Sequence, residues 1–150
     1  MIFPRLSFII ETEIHGKGNV AQDGKNEAFM KNVIISEAGL LTLGDISLAL
    51  IPGEIFPELV IDHGGYTGEV PPLETIAAQY GIENLLIVGL CNDELGYIVT
   101  PEDFYLHETQ PCLKNGADAE GRRHYEETNS TGKYTAKYIA EAFEKALNEK

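Results

Sequence analysis

A carboxylate and a phenol, each at the end of an apolar run, are the residues of this chain best placed for chemistry. Glu54 closes Gly44 to Glu54, GDISLALIPGE, and Tyr97 lies within Gly89 to Phe104, GLCNDELGYIVTPEDF. A carboxylate is a hard ligand for zinc or a general base, and a Pro-Gly turn ahead of it can aim the side chain rigidly. Turns are also rich in solvated charge, so Glu54 has an ordinary reading as a turn residue in water. Tyr97 reads either as an oxygen donor or as a half-buried aromatic at a strand start. Asp93 and Glu94 are adjacent, and neighbours on an extended chain point to opposite faces, so the pair is expected to be structural or solvated. Neither segment makes a site alone.

The remaining chemistry is sparse. His15, His63, His107 and His124 show no HxH, HxxxH or HExxH spacing, so no complete zinc set is legible. His124 opens HYEETNS, residues 124 to 130, where Glu126, Glu127 and Ser130 also suit the capping of a helix N-terminus. Arg122 and Arg123 read as a contact for an anion or a lipid headgroup, or as a solvated loop pair. Cys91, inside an apolar run, reads as buried, and Cys112 sits in a loop beside Pro111; the two make neither a disulfide framework nor a zinc-finger spacing. There is no nucleophile elbow, phosphate-binding loop or dinucleotide fingerprint, and no catalytic or substrate-binding side chain is assigned.

Positioning Glu54 and Tyr97 requires strands. Ile46 to Ile51 reads as a buried strand stopped by Pro52-Gly53, which leaves Glu54 at the carboxyl edge of a sheet, where α/β folds place ligands. Asn84 to Cys91 reads as a second buried strand delivering Asn92 to Tyr97 to the same edge, so that the two share one cleft. Residues 6 to 14, Asn32 to Ser36 and Leu40 to Leu43 suggest three more strands, the last two separated at Gly39. Gly64, Gly65, Gly68, Pro71 and Pro72 forbid regular structure after Glu54 and predict a surface loop or lid. Pro72 then opens a short helix with Leu73, Ile76, Ala77 and Tyr80 on one face and Gly81 as its stop. Residues 105 to 130 read as a long irregular loop. From Ser130 or Thr131 a helix runs to about Asn148 with Tyr134, Tyr138, Ile139, Ala142, Phe143 and Ala146 as its apolar stripe. The expected fold is α/β or α+β: one domain, a mixed sheet, flanking helices and a long C-terminal helix.

Composition bounds the partners. The chain has 150 residues, 43% hydrophobic, with 24 acidic against 11 basic side chains and a net charge of -13. That length suits one domain with a respectable core. Nucleic acid is not an expected partner, because its binding leans on clustered Lys and Arg. No apolar stretch approaches the roughly 20 residues of a spanning helix, and the first residues do not form a signal peptide, so a soluble chain in a reducing cytoplasmic interior is favoured.

Three ordered stretches, LGDISLALIPGE, GLCNDELGYIVTPEDF and HYEETNSTGKYTAKYIAEAF, resemble the C-terminal part of the catalytic domain of neutral/alkaline (non-lysosomal) ceramidases, especially bacterial ceramidase-like relatives. The resemblance covers about residues 33 to 148, with gaps in the two loops. It implies a zinc-dependent amidohydrolase that cleaves the N-acyl bond of ceramide into a sphingoid base and a fatty acid. The family's glutamate ligand, in PGE or PAE, falls on Glu54, and its tyrosine ligand, in NxxxxY followed by a threonine, falls on Tyr97. Its two histidine ligands and catalytic serine belong to earlier segments, and residues 1 to 43 match none of them. The resemblance thus implies a ceramidase-like portion that is inactive alone, with a lipid amide as substrate and with a missing N-terminal portion or a homodimer as companion. The alternatives are a non-catalytic binding or interaction module that kept the fold without the metal, and an acidic domain that binds calcium or nothing.

Overall fold

Alternation of apolar residues builds the strands, and the turn at Gly44-Asp45 and the bend at Pro52-Gly53 end the two that precede them. The computed structural model describes residues 5–11, 33–105, 121 and 125–149. In chain order these form β1 (Arg5–Glu11), β2 (Val33–Leu43), β3 (Ile46–Leu50), β4 (Glu54–Ile55), a 3-10 turn at Pro57–Leu59, α1 (Leu73–Gln79), β5 (Leu85–Val88), β6 (Tyr97–Ile98), α2 (Tyr125–Thr128) and α3 (Thr135–Asn148). The main sheet has the order β1-β2-β3-β5, and β4 and β6 form a separate two-stranded ribbon. The pairs β1-β2 and β2-β3 are antiparallel, while β3-β5 is parallel, so the sheet is mixed as expected. Helix α1 supplies the crossover that a parallel pair requires.

Two expectations are corrected. The strands predicted on either side of Gly39 are one continuous β2, because Gly39 stays in register opposite both Arg5 and Leu50 and acts as an extended residue rather than a break. The C-terminal helix begins at Thr135, not at Ser130 or Thr131, because Gly132 at φ 137° interrupts the backbone before it. Ser130 Oγ accepts the Gly132 N–H at 3.3 Å, and the Thr131 and Thr135 hydroxyls meet at 2.8 Å, so these side chains shape the entry without capping it. Tyr134 consequently lies off the apolar stripe, half exposed.

The sheet has two unlike faces. On the inner one, Ala38 and Leu40 of β2 and Ala49 of β3 are buried, with Leu85 and Ile87 of β5 packed beside them. Helix α3 covers β1 and β2, and α1 packs on α3. Its Ala136, Ile139, Ala140, Phe143, Ala146 and Leu147 recur with the 3.6-residue period and are all buried. Alanines on both partners let the helix approach closely, leaving Phe143 with no exposed surface. The outer face carries Ile35, Leu41, Leu43, Ile46, Leu48, Leu50, Leu86 and Val88, of which Ile35 is 68% and Leu86 55% exposed. Among the described residues no helix is long and apolar enough to cross a membrane.

Candidate functional site

The Pro52-Gly53 turn after β3 is wrapped by the loop that follows β5. The carbonyls of Ile51, Pro52 and Gly53 accept the N–H groups of Cys91 (2.9 Å), Leu95 (2.8 Å) and Leu90 (3.3 Å). Leu90 and Asn92 take positive φ, 52° and 74°, to make this wrap. The Asn value is commonplace; a leucine there is strained, the kind of backbone cost that persists only where surrounding bonds over-determine it. The Ser36 hydroxyl donates to Asp93 Oδ2 at 2.6 Å and ties the same loop to β2, so Asp93 is structural, and Glu94 is exposed.

The chain then re-pairs. Glu54 N–H donates to the Gly96 carbonyl at 2.9 Å and Phe56 N–H to that of Ile98 at 3.1 Å, giving the parallel ribbon of β4 and β6. In its register Glu54 stands directly opposite Tyr97, and Ile55 opposite Ile98. Ile98 is fully buried and Ile55 packs on the core, so the period-two alternation turns Glu54 and Tyr97 together to the other side. The two side chains expected to share a cleft therefore lie side by side at the carboxyl ends of β3 and β5. Glu54 is exposed and Tyr97 half-buried.

The segment HYEETNS closes the arrangement. Tyr97 N–H donates to the Asn129 carbonyl at 3.1 Å. Asn129 is itself locked, its amide nitrogen donating to the Tyr125 carbonyl at 2.7 Å. The Tyr125 ring lies edge-on to Tyr97, with centroids 5.8 Å apart and planes at 69°. Close backbone approach makes glycine obligatory at two points. A Cβ on Gly53 would sit 2.6 Å from the Gly96 carbonyl oxygen, and one on Gly96, at φ 77°, would strike the Asn129 carbonyl. Tyr125 and Asn129 are the site residues that spacing did not single out. The signal available for them was only the order of the three stretches along the chain.

Electrostatics follow from this geometry. The Tyr97 phenol is raised above its ordinary value, first by the Glu54 carboxylate, then by desolvation and by Tyr125 and Glu126. Among the described residues, no three His, Cys, Asp or Glu side chains form a group able to hold a metal ion. The donor chemistry of Glu54 and Tyr97 fits the carboxylate-and-phenol half of the zinc set that the resemblance implies, and Tyr125 adds a second phenol nearby. His63 is exposed; His15, His107, His124, Arg122, Arg123 and Cys112 lie outside the described residues. Cys91, expected to be buried, is a half-buried free thiol.

The loop expected as a lid is latched beyond the ribbon. Tyr66 donates its hydroxyl to Glu102 Oε2 at 3.1 Å, and the Glu69 N–H donates to Glu102 Oε1. Burial, followed by the Glu102 charge and hydrogen bond, pushes the Tyr66 phenol up to about 12. An open groove of about 260 Å³ between α1 and α3, floored by Val70, Ile76 and Ala140, shares no residue with the Glu54 cluster. Compared with known proteins, the chain matches no protein-family model and no curated protein.

Proposed function

We propose that this chain carries the glutamate-and-tyrosine half of a ceramidase-like zinc amidohydrolase site acting on N-acyl, ceramide-type lipid amides, and that the chain is inactive by itself. The observation that supports this most is the register of the ribbon, Glu54 directly opposite Tyr97, in the two motifs that carry the resemblance. When bound, zinc supplies Lewis acidity, polarising an amide carbonyl or a water molecule. Glu54 offers an anionic oxygen, and its charge raises the neighbouring Tyr97 phenol above its ordinary value. Structural and catalytic zinc sites use three or four protein donors, so two donors imply weak binding and histidines contributed from outside this cluster.

Zinc titration followed by thermal melting tests the reading, on the chain itself and on Glu54→Ala and Tyr97→Phe. A ligand bound only to the native state raises the midpoint, by about 2.7 kcal/mol of stability at a hundredfold excess over its dissociation constant. The expected result is a zinc-dependent rise that both substitutions abolish. A midpoint indifferent to zinc, or a rise that survives both substitutions, refutes it.

A further inference from the structure

We propose that Asn129 is a positioning residue of the site: its side-chain amide, bonded to the Tyr125 carbonyl, holds the Tyr125 ring edge-on against Tyr97 and so fixes the Tyr97 phenol for its place beside Glu54. The role rests on the reading of Tyr97 as a zinc donor. Asn129 meets both tyrosines at once. Its carbonyl accepts the Tyr97 N–H at 3.1 Å, while its amide nitrogen donates to the Tyr125 carbonyl at 2.7 Å. The contact between the rings, with centroids 5.8 Å apart, closes a loop that runs from the Tyr97 backbone through Asn129 and Tyr125 back to the Tyr97 ring. Opening any link of that loop frees the ring on that side.

A side chain that reaches back to the carbonyl four residues earlier ordinarily does no more than finish a helix. Here α2 is a single turn, Tyr125–Thr128, so the carbonyl that Asn129 holds belongs to the residue whose ring meets Tyr97. That carbonyl also receives the Thr128 hydroxyl at 2.8 Å and the Asn129 backbone N–H at 3.2 Å. Several donors thus converge on one oxygen that has two lone pairs, and the Tyr125 backbone is held from more than one direction. Burial does not hold the ring, because Tyr125 is 61% exposed. Exposed side chains hop among rotamers on the picosecond to nanosecond scale, and fixing the Tyr125 backbone is what keeps one of those rotamers within reach of Tyr97. Asn129 acts only through the two tyrosines, in the way that partners of a metal ligand orient the ligand itself.

Zinc titration of the full chain, labelled on its tyrosine rings and followed by nuclear magnetic resonance, tests this on wild type, Asn129→Ala and Asn129→Ser. The Tyr97 and Tyr125 signals are identified by their absence from the spectra of Tyr97→Phe and Tyr125→Phe. In wild type a through-space signal between the two rings is expected. Asn129→Ala should lose that signal and weaken zinc binding on the order of 10- to 100-fold, with little change in the melting midpoint because Asn129 is exposed. Asn129→Ser places a hydroxyl within reach of the same carbonyl and should restore both readings. A ring contact that survives Asn129→Ala overturns the proposal, as does a lost contact that serine fails to recover. Absence of the contact from wild type also overturns it, and that outcome needs no folded variant. Zinc bound equally by wild type and Asn129→Ala removes this role alone, whereas a wild-type chain that binds no zinc removes the reading of the site and this role together.

Discussion

Gly96 combines two demands that no other residue type meets, a left-handed backbone and a carbonyl oxygen where its side chain would be. Gly64 shares only the first demand, with φ 67° and nothing within 4 Å of where a methyl group would stand. Gly64→Ala should therefore cost about 1 kcal/mol, the left-handed penalty alone, while Gly96→Ala should cost about 3 kcal/mol. Denaturant unfolding of the two variants checks this, and equal costs would show that the approach of Asn129 does not constrain the ribbon. At Tyr97 the dominant influence is the facing carboxylate. Glu54→Gln should bring the phenol down toward 10.0, read as phenolate absorbance against pH, with little change in melting because Glu54 is exposed. An unmoved titration would mean that the side chains do not face each other as the backbone register places them.

Among the elements, the Gly- and Pro-rich loop between the 3-10 turn and α1 is tied to the segment after β6 by Glu102, while Asp62 at its start accepts the Thr75 hydroxyl of α1 at 3.2 Å. Burial raises the Glu102 carboxyl, but the Glu69 N–H, its own backbone N–H, the Tyr66 hydroxyl and Lys133 outweigh that and leave it lowered. A lowered folded-state value means a contribution present above the ordinary carboxylate range and lost as pH falls through the folded value. Tyr66 has the opposite sense. Raised from 10.0 to about 12, it contributes below pH 10 and ceases to contribute as pH climbs between those values. The protection of the Glu69 amide relative to its intrinsic, pH-dependent exchange rate should fall on acidification, and Glu102→Ala should abolish that protection at neutral pH while lowering the Tyr66 value. A protected Glu69 amide in that variant would show that the loop is held by something other than this carboxylate.

For the whole molecule, stability concentrates on one face of one helix. Phe143 of α3 is fully enclosed within the core shared with α1 and the inner sheet face, so Phe143→Ala should cost about 3 to 5 kcal/mol and lower the melting midpoint on the order of 10 °C. Tyr134→Ser, on the exposed turn before the same helix, should stay within about 0.5 kcal/mol. Comparable losses in the two variants would contradict this placement of the core. Among the described residues α3 packs on the inner sheet face and α1 packs on α3, a two-layer arrangement.

The apolar runs alone specified the mixed sheet, the short helix after Pro72, the long C-terminal helix and its buried stripe, since period and punctuation are local properties. They also placed Glu54 and Tyr97 at strand ends. Gly39 misled because a small residue in an extended register looks, locally, the same as a break. The start of α3 was misplaced because Ser130 and Thr131 have capping chemistry, whereas the backbone at Gly132 settles the boundary. Only the tertiary structure decided that Glu54 faces Tyr97, that Tyr125 and Asn129 join them, and that among the described residues α3 packs on the inner sheet face. Those outcomes depend on backbone carbonyls of Gly53, Gly96 and Asn129 meeting across segments separated by up to 76 residues. Residue type and spacing carry no information about such meetings until the chain is packed.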